Sequence, residues 1–403
     1  MNISIFETKG SADRLEPITL TRPVFDLRSG VFTFLERVRR LRPEASVSLF
    51  VRPELAELTR ERFPDCTVNP DTPSGGVWLD GGVIWREALL QLLEGEPGAA
   101  ISKGDRLLGA NLSGADASDW IAAGGPCEGP PPLSGNEADV SVINYLWECV
   151  HQNGDAIRGD AGHFPLGEIK GEIDDDAHLV SRGDTYVGEG SRVRVGAIID
   201  AESGPVIIGE NVTLQPGAYL EGPLYIGDGS LIKAGAKIFG ETSIGPGCKV
   251  GGELEESIFQ GWSNKQHDGF LGTAYIGEWV NLGAGTNNSD LKNNYTSVEV
   301  TVNGERIDTG SLFVGLFMGD HSKSAIGTQF NTGTVVGPAC NVVTAGFPRK
   351  VIPPFSWVVK GRSRAYAFDK FKETAIAAKG RRNHPFSEAE EHMFRRIAEE
   401  SAR

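Results

Sequence analysis

The chain has 403 residues, 52 of them glycine, with 39% hydrophobic residues and a formal net charge of -15. That length holds two or three domains, and the apolar fraction can build real cores, so the glycine content reads as turns rather than disorder. The negative charge argues against nucleic acid or an anionic membrane as the main partner. The five cysteines, at 66, 127, 149, 248 and 340, form no C-x-x-C pair. They read as reduced thiols, and with no signal peptide or apolar run of membrane length the expectation is a cytoplasmic protein.

In chain order, Ile3–Phe6 and Val47–Val51 are short apolar runs of buried-strand length, and Val31–Val38 between them has helical amphipathicity. Strand, helix, strand predicts an α/β layer domain with a parallel sheet. A Gly/Pro-rich stretch over 122–136 predicts a loop and 144–150 a helix, with 159–180 as a linker. Beyond it the pattern changes. Ile208, Leu214, Leu220, Ile226, Ile232, Ile238, Ile244 and Val250 fall at every sixth position. A helix would repeat at 3.6 and a strand at 2, so six predicts a solenoid of short strands and turns, a β-helix. Small residues four places later (Ala218, Ser230, Ala236, Thr242, Cys248) let the chain turn each corner. The repeat continues upstream through Val187, Val193 and Ile199, and downstream at Ile276, Leu282, Phe330, Val336 and Val342.

Two interruptions are expected, one over 253–272 and one over 295–307. The second alternates apolar residues around Asn303-Gly304, which predicts a β-hairpin projecting from the coil to clasp a neighbouring subunit or to edge a site. After Pro353-Pro354 the tail reads as helical, broken at 380–383, with a capping box opening at Ser387. The expected domains are 1–158 (α/β), 181–355 (β-helix) and 356–403 (helical tail).

The hexads resemble those of hexapeptide-repeat acyltransferases, which implies a left-handed parallel β-helix. The stretches N-K-Q-H-D-G-F-L-G (264–272) and N-L-G-A-G-T (281–286) are similar to the acetyltransferase half of the bifunctional N-acetylglucosamine-1-phosphate uridylyltransferase/glucosamine-1-phosphate acetyltransferase family. They resemble still more closely a divergent bacterial branch of sugar nucleotidyltransferases with a fused acyltransferase. Leu20-Thr-Arg-Pro23 and Leu27-Arg-Ser-Gly30 resemble that branch's amino-terminal pattern, so the likeness spans nearly the whole chain.

The resemblance implies a homotrimer with acyl-transfer sites between adjacent coils and acetyl-CoA as donor. Aligned on the N-L-G-A-G-T stretch, His267 takes the place of the catalytic base, Phe270 that of a nearby Tyr and Asn281 that of an active-site Asn. Imidazole suits the base role near neutral pH. Asn264, Lys265, Lys292 and His321 are candidate substrate or CoA contacts, although Lys265 and His321 could equally be turn residues and Asn281 part of an inward Asn ladder. Two family cations are replaced, by Gln215 and Glu255. The acceptor then either lacks that phosphate or binds it through other cations such as Lys292.

For the amino-terminal domain the resemblance implies nucleotidyl transfer from an NTP to a sugar phosphate, with Mg²⁺ to neutralise the phosphates. The G-x-G-T-R loop is missing from Glu7–Arg14. Arg22 and Arg28 are therefore the candidate phosphate contacts, Lys103 and Arg106 weaker ones, and no metal-binding carboxylates stand out. Two rival functions remain: a nucleotidyltransferase whose β-helix is only a trimerisation scaffold, and a non-catalytic nucleotide-sugar-binding regulator.

Overall fold

A computed structural model describes residues 1–402. Strand Asn2–Phe6 sits near the middle of a seven-stranded sheet. It pairs in parallel with Ser46–Phe50 and with Gly76–Asp80, and Ser46–Phe50 pairs in parallel with Thr67–Val68. The sheet is mixed rather than parallel throughout, because Gly76–Asp80 pairs antiparallel with Arg106–Leu112. The helix expected over 31–38 forms over Phe34–Leu41, and a shorter one, Lys9–Arg14, precedes it. Gly30, at φ +79°, turns the chain so that Phe32–Thr33 pairs back onto Arg28–Ser29. Thr33 then caps the helix, its hydroxyl taking the Glu36 N–H at 3.1 Å while the Glu36 carboxylate takes the Thr33 N–H at 2.7 Å.

From Glu172–Ile173 to Ser356–Val359 the chain winds as a left-handed β-helix of parallel strands stacked in three walls. The hexad residues point inward and stack: Val193, Leu214, Ile232 and Val250 are register partners on one wall, and Leu220, Ile238 and Leu254 on the next. All of these are buried. The expected interruption over 253–272 is not one. Strands Glu253–Glu255, Ile258–Gly261, Asn264–Lys265 and Phe270–Gly272 each pair in register with the coil below, and inward residues 254, 259, 265 and 271 are spaced by five or six. The period slips by one residue, which hides the repeat without breaking the wall.

The second interruption is a true insertion. Glu299–Val302 and Glu305–Asp308 form the hairpin, with Asn303 and Gly304 both at positive φ. One edge of it packs within the chain. Val298, Val300 and Val302 are buried in the same apolar cluster as the amino-terminal domain, and Asn303 Nδ2 donates to the Asp13 carbonyl at 2.7 Å.

The tail forms two helices, Phe368–Gly380 and Glu388–Ser401, and Ser387 makes the expected capping box. Phe371, Met393 and Phe394 wedge between Leu55 and Leu58 of the amino-terminal domain and Phe355 at the end of the coil. No helix among the described residues is long and apolar enough to cross a membrane.

Candidate functional site

Site residues on the coil follow from alternation along one wall. Lys265 is the register partner of Val250, so its side chain enters the apolar prism and is 1% exposed. Its ammonium donates to the carbonyls of Gly251 (3.1 Å), His267 (3.0 Å) and Gly269 (2.6 Å). Burial lowers it to about 8, with Asp268 and Glu253 pulling the other way. Lys265 is therefore not a phosphate or CoA contact. It fastens the loop over 266–269 to the coil beneath, and at the crest of that loop His267 and Asp268 are exposed. Phe270 follows, half-buried, its N–H donating to Asn287 Oδ1 at 2.7 Å. Its ring lies over Gly272, where a Cβ would come within 2.5 Å of it.

The residues before the inward positions face outward and form a ladder: Lys249, Asn264, Asn281 and Lys323 are successive partners. Asn281 thus belongs to an outward row, with Leu282 beside it pointing in and 2% exposed. Asn264 Oδ1 accepts from Arg382 Nη2 at 2.8 Å, and Arg382 Nη1 donates to the Gly247 carbonyl at 2.5 Å. The tail loop is thereby pinned to the same face. Beside it Trp262 stacks on Trp279 at 5.5 Å, with the His384 ring edge-on to Trp262 at 4.2 Å.

His321 does not reach this face. It is 2% exposed, stacked on Trp279 and met edge-on by Phe371, Phe386 and Phe394. Neither ring nitrogen has a hydrogen-bond partner, and burial, with Lys323 and Lys379 nearby, pushes its pKa well below 6.5. A neutral ring sealed under the tail contacts neither CoA nor acceptor. Lys292 spends its ammonium on the Ser297 carbonyl at 2.9 Å, at the root of the hairpin. Gln215 Oε1 accepts the Ala234 N–H at 3.1 Å, and the Glu255 side chain is exposed.

In the amino-terminal domain the predicted phosphate ligands are committed elsewhere. Arg22 is fully buried between domains, 2.5 Å from Asp320, 3.2 Å from Glu278 and 3.5 Å from Asp26. It is an interdomain ion-pair centre and has no access to a nucleotide. Arg28, 5% exposed, donates to the Val31 carbonyl and weakly to Gln260 O at 3.5 Å. It touches a cavity of about 780 Å³ between the domains, lined also by Phe32, Arg40, His163 and Tyr225. Arg106 makes a fork to Asp80 at 2.7 and 2.8 Å, and Lys103 donates to the Val140 carbonyl at 3.1 Å.

A cleft of about 520 Å³ opens where parallel strands Asn2–Phe6 and Ser46–Phe50 end, lined by Lys9, Arg52, Asn69, Asp71, Cys127 and Glu128. Carboxyl ends of parallel strands are where open α/β sheets bind ligands. The rule could have pointed to Lys9, just past the first strand, but Arg52 and Asn69 lack any local motif. The carboxylates at these strand ends do not fit a magnesium ion. Glu7 takes the N–H groups of Val24 and Arg52 and the Arg52 Nε at 2.9–3.0 Å, and Asp80 takes Arg106 and the Gly82 N–H. Among the described residues no group of three or more His, Cys, Asp or Glu is placed to hold a metal.

Residues 3–167 match the sugar nucleotidyl transferase family, and residues 205–240 match the bacterial transferase hexapeptide repeats. The first match takes in the amino-terminal domain, and the second a stretch of the coil. Among curated proteins it is similar to the bifunctional sugar-1-phosphate nucleotidylyltransferase/acetyltransferase of Sulfurisphaera tokodaii, 36% identical over 136 residues, 33% of this chain and 34% of that one. It is also similar to the bifunctional protein GlmU of Rippkaea orientalis (32% over 148 residues, 35% and 30% of the two chains) and that of Trichormus variabilis (30% over 190 residues, 44% and 40%). The match spans 30–40% of the length of these relatives.

Proposed function

We propose that the coil transfers an acetyl group from acetyl-CoA to the amine of an amino sugar, with His267 as general base, and that the amino-terminal domain joins the sugar phosphate to a nucleotide. The observation that carries the acyl-transfer reading is the placement of His267. It is exposed at the crest of a loop whose backbone is fastened from below by the buried Lys265 ammonium. A base held on a clamped loop stays aimed, which is what positional catalysis needs. The amine nitrogen attacks the thioester carbonyl as His267 takes its proton, and the tetrahedral intermediate collapses to the amide, expelling the CoA thiolate, which leaves as the thiol. Asn281, outward on the neighbouring rung, is the side-chain donor for the oxyanion. The assembly is a homotrimer in which these faces meet between coils. Exposed Val195, Ile326 and Val343 on the coil support that association.

Nucleotide binding is assigned to the cleft at the ends of the parallel strands, with the exposed Lys9 as the cation nearest the phosphates. A second reading is favoured by one observation: Glu7 and Asp80 are locked by Arg52 and Arg106. In it the amino-terminal domain binds a nucleotide sugar without making one. Thiol release from acetyl-CoA, with glucosamine 1-phosphate or glucosamine as acceptor, tests the first assignment. His267→Ala is expected to lower the rate by about 100-fold or more. Full activity in that variant removes His267 as base. Pyrophosphate release from an NTP and a sugar 1-phosphate separates the two readings of the amino-terminal domain.

A further inference from the structure

We infer that Lys233, Lys249, Arg381 and Arg382 form a phosphate-binding site at the seam between the coil and the tail. Lys249 sits on the outward ladder directly beneath Asn264. Lys233 lies on the same wall one coil lower, its N–H bonded to the Val250 carbonyl and its Cβ 3.0 Å from where a Cβ on Gly251 would stand. Arg382 arrives from the loop between the tail helices and brackets Lys249. One end of its guanidinium is on Gly247 O, two residues before Lys249, and the other is on Asn264 Oδ1, on the rung above. Arg381 is its exposed neighbour.

Four cations thus converge on one face of a chain whose net charge is -15. None of the four takes part in an ion pair among the described residues, and the nearby Glu253 is paired with Lys237 at 3.6 Å. Burial, with Arg382, Arg381 and Lys233, holds the Lys249 ammonium below its ordinary range, and no carboxylate offsets them. Uncompensated like charges held together by neutral anchors cost folding energy, and a bound anion relieves it. Arg382 is already oriented by two carbonyl-type acceptors, so part of the ordering cost is met before the ligand arrives.

A phosphate ester is the matching chemistry, because several donors on one face suit an oxyanion with three acceptor oxygens. It has two sources in the proposed reaction, on which the choice of ligand, though not the existence of the site, rests: the nucleotide end of CoA or the 1-phosphate of the sugar. Either would sit on the wall that leads up to His267.

Calorimetric titration of the full chain tests this. The ligands are CoA against pantetheine, and glucosamine 1-phosphate against glucosamine. One phosphorylated ligand is expected to bind and its phosphate-free counterpart to fail, which identifies the source. Lys249→Gln with Arg381→Gln should weaken that ligand about ten-fold or more, with reduced salt dependence, while Lys249→Arg keeps wild-type affinity. Lys249 and Arg381 are half-buried and exposed, so equal circular dichroism of the variants is the check on folding. Affinity unchanged within two-fold in the double variant overturns the site, as does the absence of binding by both phosphorylated ligands. Binding is read without turnover, so the site stands or falls separately from His267 acyl transfer.

Discussion

Replacing Arg22 by methionine removes the cation on which three carboxylates from two domains converge, while nearly filling its volume. Two of the three keep a partner: Asp26 and Glu278 remain 2.8 and 3.1 Å from Arg62. Asp320 keeps the Thr21 hydroxyl at 2.7 Å and the Glu278 N–H at 2.8 Å, but no cation. One buried, hydrogen-bonded but unpaired carboxylate costs about 3–5 kcal/mol, and the surviving hydrogen bonds place the loss at the lower end, about 3 kcal/mol. With a urea slope of about 1–3 kcal/mol/M the unfolding midpoint falls by about 1 M or more. Asp320→Asn in the Arg22→Met background should recover about 2 kcal/mol, because the amide needs no counter-charge. The readout is urea unfolding followed by circular dichroism. A midpoint within 0.3 M (roughly the error of such fits) in Arg22→Met, coupled to lost nucleotide binding, would refute the ion-pair reading and restore Arg22 as a phosphate ligand.

Three further outcomes follow from the same contacts. His321 titrates far below 6.5 when folded, so its contribution is intact above that value and lost as pH falls and the unfolded chain takes up the proton. The protein should lose about 1.4 kcal/mol per pH unit below 6.5 from this group. In His321→Phe that slope should vanish in thermal unfolding at pH 7.5 against 5.5, and an unchanged slope counts against it. Burial pushes the Cys127, Cys248 and Cys340 thiols up to about 12 and also raises those of Cys66 and Cys149. An aromatic disulfide reagent at pH 8 should therefore label the native chain slowly and all five thiols in denaturant, and fast stoichiometric labelling of Cys248 would contradict the packing. Ile238→Ala, fully buried between Leu220 and Leu254, should cost about 2–5 kcal/mol, measured by urea unfolding, and a loss under about 1 kcal/mol would mean the coil collapses to fill the gap.

The period of six was enough to locate the coil, because each inward residue stacks on the one a turn earlier and the pattern is written locally. The capping boxes at Thr33 and Ser387 and the Asn303-Gly304 turn are local too. Thr33 nonetheless falls inside the helix that the sequence predicts, since the sequence does not show Gly30 folding Phe32 back onto Ser29. Lys265 escapes the pattern for a different reason. A lysine in a gap of the hexad pattern looks like a solvated turn, and only the one-residue slip in spacing puts it at an inward rung.

Composition and spacing by themselves determined an α/β domain followed by a β-helix and a helical tail, whereas His267 stood out only through the resemblance of its stretch to a known family. What the tertiary structure decided is how the charges are spent. Arg22 meets Asp320 across 298 positions of sequence, and Arg382 meets Asn264 across 118. Such pairs leave no periodic trace, because a charged side chain's partner is set by which surfaces dock rather than by its neighbours in the chain. The same docking seals His321 under the tail and leaves Lys249 and its neighbours without a carboxylate. A basic residue's role therefore depends on which anion, protein or ligand, the fold leaves facing it.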